Sequence, residues 1–176
     1  MSRVFVVYAH PYPARSRANA RLLRALGGIE NVEIHSLYER YPDFNIDVEA
    51  EQRALSACDA VVWQHPIFWY APPAMMKLWF EKVLTRGWAY GGGRALAGKA
   101  CLWMTTAGAH ESGYHPDGVH GFAFERFVPG VEQTARFCAM RWLDPMVLFH
   151  AHQVSDAHLD TVAAEYRARV MALVRS

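Results

Sequence analysis

The chain reads as an α/β protein: a three-layer sandwich in which a five-stranded parallel sheet, ordered 2-1-3-4-5, lies between two layers of helices. Three observations predict this. Most strand candidates are continuous β-branched or apolar runs such as RVFVVYA (3–9), the composition of strands buried on both faces. Strand and helix candidates alternate along the chain, and helical crossovers join parallel strands. The 176 residues, 52% hydrophobic and 20% charged, suit one domain over 1–176 with a substantial core. Right-handed crossovers make 2-1-3-4-5 the common five-strand arrangement.

Each element has a local reason. Arg3–Ala9 is the first, central strand. Prolines in His10-Pro-Tyr-Pro delay the next helix until Ser16, a good N-cap. That helix covers Arg17–Leu26, with Ala18, Leu22, Ala25 and Leu26 at helical spacing, and Gly27-Gly28 ends it. Val32–Leu37 alternates as a second strand, and Tyr38–Asp47 is a loop. Val48–Ala57 is a short helix with Glu49, Glu51 and Arg53 on its exposed side. Ala60–Trp63 is the third strand, broken at Gln64-His65-Pro66. Ile67, Phe68, Trp69 and Tyr70 follow in a row, and Pro72-Pro73 starts a helix over Pro73–Arg86. After the glycine-rich GWAYGGGRALAG (87–98), Lys99–Thr106 is the fourth strand. Ala107–Gly130 is irregular and holds five glycines and three of the nine histidines. A helix over Val131–Met140 and a fifth strand over Met146–Ala151 come next. Ser155 caps a last helix that runs to about Val174.

Several classes are disfavoured. Net charge is +1 with no basic block, which argues against nucleic acid. No apolar run approaches the ~20 residues of a spanning helix, and the N-terminal run is too short for a signal peptide. Cys58, Cys101 and Cys138 form no CxxC pair and read as inert thiols in a reducing cytoplasm. His110, His115 and His120 cluster without an HExxH, and His150 and His152 make half a site at most, so no metal is expected. No GxSxG elbow marks a hydrolase. Neither a GxGxxG turn nor a P-loop is present.

The topology nevertheless locates a ligand site. The chain reverses direction between strands 1 and 3, and open α/β sheets bind ligands beyond the carboxyl ends of such strands. The two unusual loops, 10–16 and 65–71, leave the sheet there. The helix start Ser16–Asn19, flanked by Arg15 and Arg17, offers N–H groups, a hydroxyl and positive charge to a phosphate; alone, it reads first as an ordinary capped helix. Exposing large apolar side chains forgoes roughly 1.5–3 kcal/mol each. Ile67–Tyr70 is therefore expected to meet something flat and apolar: a bound ring, the protein's own core or another subunit. Thr105, Thr106, Ala107 and Gly108 add hydroxyls and an open turn. A phosphate at the first loop and a ring between the third and fourth strands describes a mononucleotide such as FMN. Tyr114 and His120, in GYHPDGVHG, offer a phenol and an imidazole for charge and proton balance, or form an exposed loop without chemistry. The helix from Pro73 is apolar nearly all round, with Lys77 and Glu81 as a narrow polar stripe. It predicts a homodimer with the crevice near its interface.

The motifs YAHPYPARSRAN (8–19), LYERYPDFNID (37–47), WQHPIFWYAPPAMMKLWFEKV (63–83), GWAYGGGRALAGK (87–99) and TTAG (105–108) are specific together. From Val4 to about Pro145 the chain resembles the flavodoxin-like NAD(P)H:quinone oxidoreductases. It is most similar to the ancillary subunits of bacterial glutathione-gated potassium-efflux systems. The resemblance implies a flavodoxin-like fold, FMN rather than FAD in so short a chain, NAD(P)H as co-substrate and a quinone or other electrophile as acceptor. It places His10, Ser16, Arg17, Ala18 and Asn19 in the phosphate-side loop. Pro66, Ile67, Phe68, Trp69 and Tyr70 fall in the ring-binding loop, and Thr105, Thr106, Ala107 and Gly108 in the third. Tyr114 and His120 match the spacing of the family's catalytic tyrosine and histidine. Two departures stand out: Ala107 replaces a glycine of the turn, and one extra residue precedes Tyr114. The implied reaction is two-electron hydride transfer. The alternative is a regulatory subunit that docks on a membrane potassium-efflux antiporter. It would be a cytoplasmic protein held peripherally at the inner membrane. A one-electron carrier is disfavoured by the near-neutral charge and the aromatic loops.

Overall fold

In the computed structural model, which describes residues 1–176, β1 (Val4–Tyr8) lies between β2 (Val32–Ser36) and β3 (Ala60–Pro66), and β4 (Ala100–Thr106) pairs with β3. All these pairings are parallel. The position beyond β4 is shared by two short strands. β5 (Arg141–Trp142) pairs with the start of β4, and β6 (Met146–Leu148) with its end. The order is therefore β2-β1-β3-β4, then β5 and β6, which is the predicted topology with its outer strand divided. The uninterrupted strand expected over Met146–Ala151 does not form. Leu143 still donates its N–H to the Cys101 carbonyl at 2.9 Å, but Pro145 has no N–H to offer the ladder. After Leu148 the chain turns away, with His150 in left-handed backbone at φ 55°.

Helices α1 (Arg17–Ala25), α2 (Leu37–Arg40), α3 (Val48–Ala57), α4 (Ala74–Val83), α5 (Pro129–Phe137) and α6 (Asp156–Arg175) surround the sheet. Alternation along β1 sends Val4 and Val6 to one face and Phe5 and Val7 to the other. Leu22 of α1 and Leu159, Tyr166 and Val170 of α6 cover the first face. Leu55 of α3, Met75 and Trp79 of α4 and Val131 of α5 cover the second. Side-chain caps start three helices, two of them as predicted (Ser16 and Ser155) and one unforeseen (Asp47). Ser16 Oγ accepts from the Asn19 N–H at 3.2 Å, Asp47 Oδ1 from Ala50 at 2.9 Å and Ser155 Oγ from His158 at 3.2 Å.

Four local expectations are corrected. The loop over 38–47 begins with the single turn of α2. β3 does not break at Gln64-His65-Pro66: the ladder to β4 continues to Pro66 opposite Thr106, and all seven residues of β3 are buried. α5 starts two residues early because Pro129 is well placed at a first helical position. Glu51 does not face solvent. It is fully buried, and its carboxylate accepts from His35 Nδ1 (2.7 Å), the Tyr41 hydroxyl (2.7 Å) and the Trp79 indole N–H (2.8 Å). β2, the segment after α2, α3 and α4 are thus tied at one point.

The breadth of α4's apolar face also has an internal explanation. Met75, Met76, Trp79, Phe80 and Val83 are all buried within the single chain, so this helix no longer argues for a dimer. Lys77 and Glu81 form the exposed i,i+4 pair at 2.7 Å. All three cysteines are buried, and burial raises their thiol pKa values, that of Cys58 to about 11. No helix is long and apolar enough to cross a membrane.

Candidate active site

Beyond the carboxyl ends of β1 and β3, where the order of connection reverses, the molecule opens a crevice of about 390 Å³. The segment after β1 supplies His10, Tyr12, Arg15 and the start of α1 from Ser16 to Asn19. The segment after β3 supplies Pro66, Ile67 and Phe68; β4 ends there with Thr106 and Gly108. Ala151 and His152 come from the loop between β6 and α6.

One end of the crevice could hold an anion. A single 3-10 turn over Pro13–Arg15 delays α1, so the first N–H groups of that helix open into the crevice with Arg15 beside them. Arg17 is already committed: its guanidinium donates to the Val154 carbonyl (2.8 Å) and Asp156 Oδ1 (2.6 Å), clamping α1 to α6. His10 Nδ1 accepts from the Tyr12 N–H at 3.0 Å. Burial, and then the charge of nearby His152, hold the His10 imidazole below its ordinary pKa. Asn19 sits on the crevice floor. Its Nδ2 donates to Thr106 Oγ1 (2.9 Å), and its backbone carbonyl accepts from Gln64 Nε2 (3.2 Å). Its Oδ1 is buried with no partner. Such an orphan acceptor costs about 1–3 kcal/mol, and it lies at the crevice wall.

The other end is aromatic. Phe68 and Ala71 exchange backbone hydrogen bonds at 2.9 and 3.1 Å. Between them Trp69 and Tyr70 both adopt left-handed backbone, at φ 49° and 64°. A turn of this kind normally takes Asn-Gly, and bulky residues there cost about 1–3 kcal/mol each. Trp69 is nevertheless 92% exposed, so the turn is held open rather than folded into the core. His65 supports it from beneath. Its Nδ1–H donates to the Pro66 carbonyl and its Nε2 accepts the Trp103 indole N–H, both at 2.9 Å. Burial pushes its pKa down to about 4, so it is a neutral strut.

The predicted residues divide accordingly. His10, Ser16, Arg17, Ala18, Asn19, Pro66, Ile67, Phe68, Thr106 and Gly108 line the crevice. Thr105 alternates away from it and donates its hydroxyl to the His65 carbonyl at 2.8 Å. Ala107 is buried, with its N–H on the Leu148 carbonyl. Trp69 and Tyr70 stand on the turn rather than in the cavity wall. Tyr114 and His120 do not line the cavity either, but they meet each other: their rings stack with centroids 4.2 Å apart. His120 Nδ1 lies 3.2 Å from the Tyr70 hydroxyl, which joins the pair to the aromatic turn. His120 Nε2 is buried without a partner. Burial, then the neighbouring Tyr70 phenol, raise the Tyr114 pKa, so its phenol keeps its proton at neutral pH. Tyr12, Ala151 and His152 line the crevice unforeseen. The expected fifth strand ran through Ala151, which left His152 no reason to approach the first loop.

Fold and crevice together define a doubly wound α/β protein with its site at the switch point of the sheet. The chain belongs to the Flavodoxin_2 family, of flavodoxin-like fold, whose model matches residues 2–170. It is 47% identical over 174 residues, 96% of each chain, to the glutathione-regulated potassium-efflux system ancillary protein KefF of Salmonella typhimurium. Among solved structures it is similar to general stress protein 14 of Treponema denticola in complex with FMN. The TM-score is 0.88 and the identity 32%, over 97% of this chain and 99% of that one. It is also similar to a thermophilic tryptophan halogenase of Streptomycin violaceusniger, with a TM-score of 0.90 and 34% identity over 94% and 97% of the two chains. The relatives' names differ on one scaffold, so activity has to be argued from the site.

Proposed function

We propose that this protein is a flavin-dependent NAD(P)H:quinone oxidoreductase that holds FMN in the crevice. The observation that carries the reading is a crevice at the switch point with a cationic helix start at one end and an open aromatic turn at the other, lined among others by Asn19, whose Oδ1 is buried without a partner. These residues fit a mononucleotide with a terminal phosphate, a polyol and a flat ring. The relative crystallised with FMN supports the same fit. When bound, FMN supplies the chemistry of accepting a hydride from NAD(P)H and passing two electrons to a quinone or other electrophile.

The chain's own residues do the rest. The start of α1, Arg15 and His10 hold the phosphate, and Asn19 Oδ1 accepts a polyol hydroxyl. Ile67 and Phe68 wall the ring end, and Trp69 and Tyr70 give a flat substrate an apolar platform. His120 and Tyr114 balance protons and charge. With the Tyr70 hydroxyl donating to His120 Nδ1, the His120 proton sits on Nε2. Tyr70→Phe is therefore expected to lower kcat several-fold and to shift the pH profile of turnover, with FMN affinity unchanged; titrating both in parallel checks it.

The primary test is an absorbance spectrum of the purified protein. A flavin band that bleaches with NADPH and returns with a quinone is expected. If neither FMN nor FAD binds, the reading fails and the aromatic turn becomes a protein-binding surface. A homodimer belongs to the same reading, with a second copy covering exposed Trp69 and Phe122 near the crevice. A second role is favoured by the KefF relatives, which are named as ancillary to a potassium-efflux system. We place the protein in the cytoplasm, docked on a membrane potassium-efflux antiporter, and co-purification with that transporter from membranes tests this.

A further inference from the structure

Four segments line the crevice, and the fourth has no role in the reading above. His152 follows β6, forty-four residues beyond Gly108, and lines the crevice with Ser16, Arg15 and His10. Its ring lies against Gly108: a Cβ built on that glycine would come within 3.2 Å of His152 Cδ2 and 3.3 Å of Nε2. Gly108 is thus the residue that leaves room for this imidazole. No carboxylate lines the crevice, and of its two arginines Arg17 already serves Asp156. The two histidines therefore lie close together with no anion to share.

We propose that His152 is a further contact to the cofactor's terminal phosphate, acting with His10 as an imidazole pair that selects a phosphate monoester. This rests on the flavin reading and adds to it a residue and a preference. A phosphate monoester carries ≈ −1.5 to −2 charges near neutral pH, and an imidazole ordinarily titrates near 6.5. Placing such an anion between two imidazoles removes their mutual repulsion and draws protons onto them. His10, held low by burial and by His152, gains most. Other polar groups surround the pair. Tyr8, whose ring lies 6.5 Å from His10, is raised to about 12 by burial. Arg15 and Arg17 line the same wall, and Arg17 is paired with Asp156. His150 Nε2 is 3.0 Å from the Gln153 side chain. Phosphate affinity should therefore fall as pH rises through the imidazole range.

The experiment is equilibrium binding to apo protein, read by flavin fluorescence, with FMN and with riboflavin at pH 6.5 and 8.5. Wild type is compared with His152→Ala and with His158→Ala, an exposed histidine on α6. In wild type, FMN should bind more tightly at pH 6.5 than at 8.5, and riboflavin should show no such dependence. His152→Ala should weaken FMN about tenfold at pH 6.5, the scale of one charge-assisted hydrogen bond, reduce its pH dependence and leave riboflavin within about twofold. His158→Ala should change neither flavin. If His152→Ala binds FMN like wild type, or weakens riboflavin equally, the assignment of His152 is overturned while the flavin reading stands. If wild type binds neither flavin, the flavin reading falls and the assignment with it.

Discussion

Glu51→Ala is expected to destabilise the protein by about 3–5 kcal/mol, the usual cost of removing one partner from a buried charged cluster. The carboxylate is fully buried and accepts three short bonds, with the Arg40 guanidinium 3.5 Å away. Alanine would strand the His35 imidazole, the Tyr41 hydroxyl and the Trp79 indole N–H inside the protein. Denaturant unfolding measures the effect, and a loss below about 1 kcal/mol would show that the cluster relaxes around the gap. The pH dependence has a definite sign. Burial alone would raise the Glu51 pKa, but the bonds from His35, Tyr41 and Trp79 outweigh it and hold the value low. Its stability contribution is present above the unfolded carboxylate value of about 4.3 and is lost as pH falls through the folded value. Burial likewise opposes the charge on His35, but Glu51 and then Glu33 raise its pKa overall. That contribution is full below about 6.5 and is lost as pH rises through the folded value. The pair stabilises most between those limits, and Glu51→Gln should flatten the profile on both sides.

His120→Ala is expected to reduce kcat with a quinone about a hundredfold while FMN affinity stays within about twofold, since a positioned acid or base contributes 10²–10⁴. The imidazole is stacked on Tyr114, bonded at Nδ1 to the Tyr70 hydroxyl and buried at Nε2 without a partner. It lies outside the crevice wall, so its loss should not disturb the cofactor's anchors. Steady-state turnover and flavin titration on the same preparation separate the two effects. Unchanged kcat would remove the Tyr114–His120 pair from the mechanism, and loss of flavin would make His120 a structural residue.

The central strands, the capped helices and the crevice at the switch point were legible in the residues, because each depends on neighbours in sequence. Apolar runs make buried strands, Ser16 and Ser155 satisfy the N–H groups three residues on, and strand order follows from crossover handedness. The ten predicted residues that line the crevice follow from the same logic, since they flank strand ends. What depends on distant partners was not legible. Glu51 looked solvated because its helical stripe is charged, and only β2, α4 and Tyr41 show where its charge is satisfied. The apolar face of α4 suggested a partner subunit until its own chain covered it. Tyr70 meets His120 across fifty residues, and His152 reaches the first loop because the outer strand divides and ends early. The sequence by itself determined the sheet, its order and the place of the crevice, through local hydrogen bonding and burial periodicity. Only the tertiary structure decided which buried charge is paired, which helix face is closed and which histidine joins the crevice wall, because those depend on side chains that the chain brings together only on folding.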